Sequence, residues 1–202
     1  MAKPLIIALL ALVPTLAPAV EEPRYERLRA INDQVELRRY SPYVVAEVIL
    51  DSRAEEAGNQ AFPILAGYIF GKNQGQRKMA MTAPVTQTSA PVTLPMTAPV
   101  TQQAGAGGTR VQFVLPADVT LATAPLPLDP RVRLREEPAA TWAVIRYSGG
   151  WSQTALAEQV TALRAALAQA GLQPQGEPVW ARYNGPMTPW FMRRNEVWLA
   201  VP

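Results

Sequence analysis

Neither cysteine nor histidine occurs in this chain of 202 residues. The missing cysteine rules out disulfides, thiolate nucleophiles, zinc fingers and a lipid-bearing N-terminal cysteine. The missing histidine rules out a Ser-His-Asp relay and leaves no side chain whose unperturbed titration lies near neutrality. General acid–base catalysis would fall to shifted carboxylates, lysine or tyrosine, and no convergent set of these is visible, so no enzyme is expected. Charge is sparse, at 17% of residues with a net +3. The basic residues stand singly or in pairs, without a run of five or six, which argues against nucleic-acid binding.

What is present begins with an export signal. Lys3 gives the positive start, Leu5 to Val13 the apolar core, and Ala17-Pro18-Ala19 the small-residue ending, so residues 1–19 read as a signal peptide. Its core of about nine residues is too short to cross a bilayer, which needs roughly 20. The chain is therefore expected to be exported, to the periplasm or beyond. Membrane contact would come only through the segment if uncleaved. Residues 20–33 form a polar lead-in, and residues 34–202 a single domain.

Two strand-like runs follow, VELRRY (35–40) and YVVAEVIL (43–50), with Ser41-Pro42 as the turn between them. Ser52 and Glu55 form a capping box before a helix that stops at Gly71, with Pro63 kinking it or marking its first turn. Further strands are expected at 77–82, 94–97, 111–116, 132–138, 141–149, 178–184 and 196–202. Ser152 caps a second helix, with Leu156, Val160, Leu163 and Leu167 on one stripe and Gly171 as its stop. A shift of 97 residues lays Val35 on Val132, Leu37 on Leu134, Arg38 on Arg135, Ala46 on Ala143 and Val48 on Ile145. A β-β-α-β-β unit used twice predicts an α+β fold with pseudo-two-fold symmetry, two helices lying on a curved antiparallel sheet or distorted β-barrel.

Two features stand out. The phrase MTAPVTQ occurs at Met81 and again at Met96. Alternation places Met79 and Met81 on one side of a strand, and the two copies are expected to form a hairpin-like pair broken at Pro84 and Pro99. Met is suited to filling irregular gaps or meeting a flat ligand. The first helix, unlike the second, carries AFPILAGYIF with no charge. Ala57, Ala61, Ile64 and Tyr68 make one face; Phe62, Leu65, Ala66 and Ile69 make the other. One face can rest on the sheet, and the other needs a loop, a partner protein or an apolar ligand. Lys72, Arg77 and Lys78 follow at its rim.

The stretches GYIFGKNQ (67–74), KMAMTAPVTQ (78–87), MTAPVTQ (96–102), FVLP (113–116) and YNGPMTPWFMRRNEVWLAV (183–201) resemble the SOUL family of haem-binding proteins. The likeness runs from about Val35 to Val201. It implies a distorted β-barrel of two repeats flanked by two helices, and non-covalent binding of haem or a metal-free porphyrin beside the first helix, for carriage, buffering or sensing. By position, Phe62, Leu65, Ala66 and Ile69 would lie against the macrocycle with Met79 or Met81 nearby, and Lys72, Arg77 or Lys78 would pair its propionates. The chain departs from animal members in lacking any histidine for iron. The alternative reading is an envelope module that docks a protein through the same helix face.

Other signals are weaker. GYIFGK has too few residues between its glycines for a phosphate loop, and GAGG (105–108) opens no helix. Glu136 and Glu137 point to opposite sides of a strand. Trp180 and Trp198 are expected in packing, and Trp190 on a loop covering a pocket.

Overall fold

The computed structural model describes residues 21–52, 54–75, 93–105, 107–185 and 187–202. Its elements are β1 (Tyr25–Ala30), β2 (Val35–Tyr40), β3 (Tyr43–Leu50), α1 (Ala54–Ile69), β4 (Val100–Gly105) and β5 (Gly108–Val114). These are followed by β6 (Arg133–Glu137), β7 (Ala140–Tyr147), α2 (Gln153–Gln169), β8 (Gln175–Arg182), a one-turn 3-10 helix (Trp190–Met192) and β9 (Asn195–Val201). All nine strands form one sheet in the order β1-β2-β7-β9-β8-β4-β5-β3-β6. Every neighbouring pair is antiparallel.

Without β1, that order is palindromic about the β8-β4 pair: β2-β7-β9-β8 mirrors β6-β3-β5-β4. The 97-residue repeat survives at the level of register. Leu37 sits opposite Ala143, and its counterpart Leu134 sits opposite Ala46. The fold is the α+β curved sheet that the repeat predicts. One detail differs: β2 and β3, joined only by Ser41 and Pro42, do not pair with each other. They lie near opposite edges of the sheet, with the Tyr40 and Tyr43 rings 6.4 Å apart, so the sheet must curl until its edges approach.

Side-chain alternation divides the sheet into two faces. On the convex face Ala46, Val48, Val111 and Phe113 pack under α1, while Leu37, Ala143, Ile145, Val197 and Leu199 pack under α2. The concave face is aromatic and polar, built on Tyr40, Val144, Val179, Ala181 and Trp198. Trp180 and Trp198 both pack, as expected, but on opposite faces.

Several local expectations are corrected. The polar lead-in carries a strand of its own, Tyr25–Ala30, which forms β1 along β2. Residues 94–97 form no strand; β4 runs instead over Val100–Gly105. Both edges of β4 are occupied, by β5 and β8, along Val100–Gln103. The first copy of MTAPVTQ lies outside the described residues, as do residues 1–19. Helix α1 runs through Pro63 after beginning at Ala54. The Ser52 hydroxyl is buried without a hydrogen-bond partner, so it does not cap α1; the Glu55 side chain lies outside the described residues. Helix α2 keeps its expected cap, with Ser152 Oγ accepting from the Ala155 amide at 3.2 Å.

Candidate functional site

Helix α1 is buried along most of its apolar side by its own chain, while Glu56, Asn59, Gln60, Phe62 and Pro63 stay exposed. Ala57, Ala61, Leu65, Tyr68 and Ile69 are enclosed in the core. Loop residues Leu94, Leu115, Ala124 and Val132 cover the flank that the sheet does not reach. Two hydrogen bonds fix this cover: the Leu94 amide donates to the Ile69 carbonyl at 2.8 Å and the Tyr68 hydroxyl to the Pro125 carbonyl at 2.9 Å. Most of the apolar excess of α1 is thus taken up by loops. Burying a side chain such as Leu65 or Ile69 contributes about 1.5–3 kcal/mol. Those two residues therefore back the helix surface from within rather than line it.

A narrower stripe stays open. Phe62 is 43% exposed, Phe70 is 61% exposed, and Pro63 lies beside them in solvent. Ala66 sits between them, nearly buried. Phe62 is held edge-on against Phe113, ring centroids 5.4 Å apart. The stripe ends in a Schellman turn: the Lys72 amide bonds the Gly67 carbonyl at 2.8 Å and the Gly71 amide bonds Tyr68. Gly71 takes the left-handed φ of 111° that this stop requires. The turn folds exposed Lys72 back, its stem 3.0 Å from where a Gly67 Cβ would stand. A cation is so placed at the C-terminal rim of the stripe. Arg77, Lys78, Met79 and Met81 lie outside the described residues.

A second apolar surface rises across the sheet. Met187 is 94% and Trp190 64% exposed, and Phe191 and Met192 are open beside them. Trp190 was expected on a loop; its three companions were not singled out, although PWFM alone puts three large apolar residues after a proline. Phe113, Val100, Arg182 and Asn195 face one another in register across β5, β4, β8 and β9, a row spanning about 14 Å at three strand spacings. Phe62 stands over one end of this row. At the other end Trp151 donates to Asn195 Oδ1 at 2.8 Å and carries the guanidiniums of Arg182 and Arg193 on its ring, at 4.6 and 4.2 Å. Arg193 and Gly149 in turn bond the Trp190 loop, through Thr188 and Trp190 carbonyls. Two exposed apolar walls therefore flank one row, with cations at Lys72, Arg182 and Arg193.

The polar chemistry favours binding over coordination. Among the described residues no group of three or more His, Cys, Asp or Glu could hold a metal ion. Burial pushes the Tyr40, Tyr43, Tyr68, Tyr147 and Tyr183 hydroxyls upward, so none offers a phenolate near neutrality. A hollow of about 750 Å³ opens between residues 21–24 and 114–120, but four carboxylates, Glu21, Glu22, Asp118 and Glu136, line it against the single cation Arg24. That rim would repel a carboxylate-bearing ring.

The model of the family described as SOUL heme-binding protein matches residues 20–200. The chain belongs to this family. The SOUL match takes in both apolar walls and the row between them. Heme-binding protein 2 of Homo sapiens is 29% identical over 189 residues, covering 91% of this chain and 87% of the relative. Heme-binding protein 1 of Mus musculus is 28% identical over 153 residues, 75% of each chain. Among solved structures, the EcmrR C-terminal domain superposes with a TM-score of 0.56 at 12% identity, over 84% of this chain and 97% of that one. A hydrolase from Listeria innocua gives 0.55 at 12% identity, over 84% and 92%. At such identities these structures show that the SOUL chain shares their fold, and nothing of what it binds.

Proposed function

We propose that this protein binds haem, or a metal-free porphyrin of the same shape, non-covalently on the convex face beside α1, without catalysing a reaction. The observation that carries the reading is the exposure of Phe62 on α1 and of Phe70 just beyond its end, next to apolar neighbours that the chain itself encloses, with Lys72 folded back at the rim. Family membership and the names of its relatives support the same ligand. Phe62, Ala66 and Phe70 would meet one side of the ring, and Trp190 and Phe191 the other. Lys72, with Arg77 and Lys78 beyond it in the chain, would pair the propionates, and Met79 and Met81 would lie nearby. Leu65 and Ile69 would act from behind, holding the stripe firm.

The residues present fit a ring held by its faces and edge. They offer no histidine or cysteine to anchor it through iron, and burial keeps the Tyr40, Tyr43, Tyr68, Tyr147 and Tyr183 hydroxyls protonated. Bound haem would bring a redox-active iron; the part of the chain is to shield the macrocycle from water. The apolar start of the sequence supports an exported protein, with residues 1–19 removed and the ligand carried, buffered or sensed outside the cytoplasm. No helix among the described residues is long and apolar enough to cross a membrane.

Titration of the purified protein with hemin and, separately, protoporphyrin IX tests this. Saturable one-to-one binding of both, with affinities within about tenfold, is expected when iron is not a main anchor; tenfold is 1.4 kcal/mol. Uptake without saturation, or none, would favour protein docking by the α1 stripe. Binding of hemin alone would place a ligand on iron and overturn the face-held reading.

A further inference from the structure

The connection between β8 and β9 holds Met187, Trp190, Phe191 and Met192 at 61% to 94% exposure. Trp190, Phe191 and Met192 are successive residues of the one-turn 3-10 helix. Successive side chains of such a turn point about 120° apart. All three are open, so the turn stands clear of the sheet as a knob that is apolar all round. The knob is also firmly framed. The Gly149 amide donates to the Trp190 carbonyl at 3.0 Å, the Met192 amide to the Pro189 carbonyl at 2.9 Å, and Arg193 Nε to the Thr188 carbonyl at 2.8 Å. The Trp190 and Phe191 rings brace each other edge to face, 5.7 Å between centroids. Large apolar side chains held in water by such a frame call for a cover, and the described residues of the chain supply none. Charge around the knob has one dominant sign. Segments 146–154 and 182–194, joined by the Gly149 bond, contain four arginines and neither aspartate nor glutamate. Arg194 is bound to Glu22 and Glu196. Exposed Arg146, with Arg182 and Arg193 stacked on Trp151, brings positive charge to the base of the knob, against Asp33 in the turn that the Arg146 amide touches at Gln34.

We propose that this knob seats the protein in the interface of an anionic lipid bilayer, with Met187, Trp190, Phe191 and Met192 at the outer ends of the acyl chains and the arginines at the headgroups. A protrusion apolar on every side is met best by a medium that closes around it, and lipid does so. An indole suits that depth, because its apolar body and its N–H belong on opposite sides of the boundary. Guanidiniums at the base meet the lipid phosphates. The attachment is peripheral and separate from any membrane contact through residues 1–19. It does not rest on the tetrapyrrole reading either. Trp190 and Phe191 serve both, but the test below uses ligand-free protein, so the failure of one leaves the other standing.

The full chain is titrated with vesicles of phosphatidylcholine and phosphatidylglycerol at about 7:3, the phosphatidylcholine brominated on its acyl chains. Of the five tryptophans Trp190 is the exposed one: Trp180 and Trp198 are buried, Trp142 and Trp151 half-buried, and residues 1–19 contain none. Tryptophan emission therefore reports the knob. A blue shift and quenching that saturate with lipid are expected, and about 500 mM salt or neutral vesicles should raise the lipid needed several-fold. Trp190→Phe keeps co-sedimentation with the vesicles but loses most of the quenching. Phe191→Ser/Met192→Ser keeps the reporter and needs roughly tenfold more lipid, because binding scales with the apolar area inserted. Met187→Ser, at the most exposed position, shifts the titration the same way and keeps the test open should the double variant not fold. Absent quenching, quenching that survives Trp190→Phe, unchanged lipid demand in the serine variants, or equal binding to neutral vesicles each overturn the proposal. So does a blue shift that grows with protein concentration in the absence of lipid, which would make the cover a second copy of the chain.

Discussion

Arg38 on β2 and Glu196 on β9, 158 residues apart in sequence, meet on the concave face with Arg38 Nη1 2.9 Å from Glu196 Oε2. Both side chains are almost wholly buried. Glu196 also accepts from Arg194, from the Tyr183 hydroxyl at 2.7 Å and from the Trp198 indole at 2.8 Å. Arg38 lies over the Tyr25 ring at 4.5 Å, which draws β1 into the same network. Removing one member of such a buried set leaves an uncompensated charge, at a cost of about 3–5 kcal/mol. Glu196→Gln is expected to lower the unfolding free energy by that amount in a urea titration. A change under 1 kcal/mol would show that the network is solvated.

The same carboxyl sets an acid limit. Burial pushes Glu196 up, but the Arg38 and Arg194 charges and the hydrogen bonds to Arg38 and Tyr183 outweigh it, so it is held below its ordinary 4.5. A depressed carboxyl stabilises the fold fully above its unfolded value and loses that contribution as pH falls through the folded one. Stability is therefore expected to be flat in this respect above about pH 6 and to decline below about 4.5. Glu196→Gln should flatten that decline. Parallel acid profiles for the two proteins would assign the loss to other carboxyls.

Glycine positions separate by what surrounds them. Gly108 has φ of 113°, and a Cβ there would stand 2.4 Å from the Leu50 carbonyl oxygen. Gly171 has φ of 71° but faces open space. Gly171→Ala should cost only the left-handed penalty of roughly 1–2 kcal/mol. Gly108→Ala adds a clash with backbone that cannot swing away, so its loss of Tm should be clearly the larger. Equal losses would mean that the β4-β5 turn can shift.

Much of this architecture is legible in the sequence, for physical reasons. The 97-residue repeat carries register because Leu37 and Leu134 must each face the small Ala143 or Ala46 beneath a helix. Both helix stops are read from glycines that supply left-handed turns. Pairing partners are not legible: VELRRY and YVVAEVIL look like a hairpin because adjacent strands usually pair, while curling the sheet separates them. The open face of α1 is overstated for a related reason. Composition shows that Leu65 and Ile69 need cover, but only the path of residues 93–97 and 115–132 shows that loops provide it. Phe70 and the Met187–Met192 segment became visible as site residues only through their exposure.

Trp151 ties the second apolar wall to the sheet through two stacked guanidiniums and one indole hydrogen bond. Each cation–π contact contributes about 0.5–1 kcal/mol. Trp151→Ala is expected to loosen the Trp190 loop more than the whole domain. Faster proteolytic nicking near residue 190, with Tm lowered by only a few degrees, is the pattern that checks this. Unchanged nicking would mean that the Gly149 amide and the Arg193 bond to Thr188 hold the loop without Trp151.

Phe62 and Phe70 are the substitutions that decide the tetrapyrrole surface. Both rings are already partly in water, so aspartate at either position removes little packing from the fold, in contrast to Leu65→Asp, which should prevent folding. Against a flat apolar ligand each ring contributes about 1–2 kcal/mol, somewhat less than a fully buried aromatic. Hemin affinity should then fall roughly 5- to 30-fold per substitution, at 1.4 kcal/mol per tenfold. The far-ultraviolet spectrum and Tm should stay close to those of the parent. Phe62 is braced by Phe113, so its replacement should cost slightly more stability than that of Phe70. Hemin bound with unaltered affinity by the double variant would move the ligand off α1 altogether.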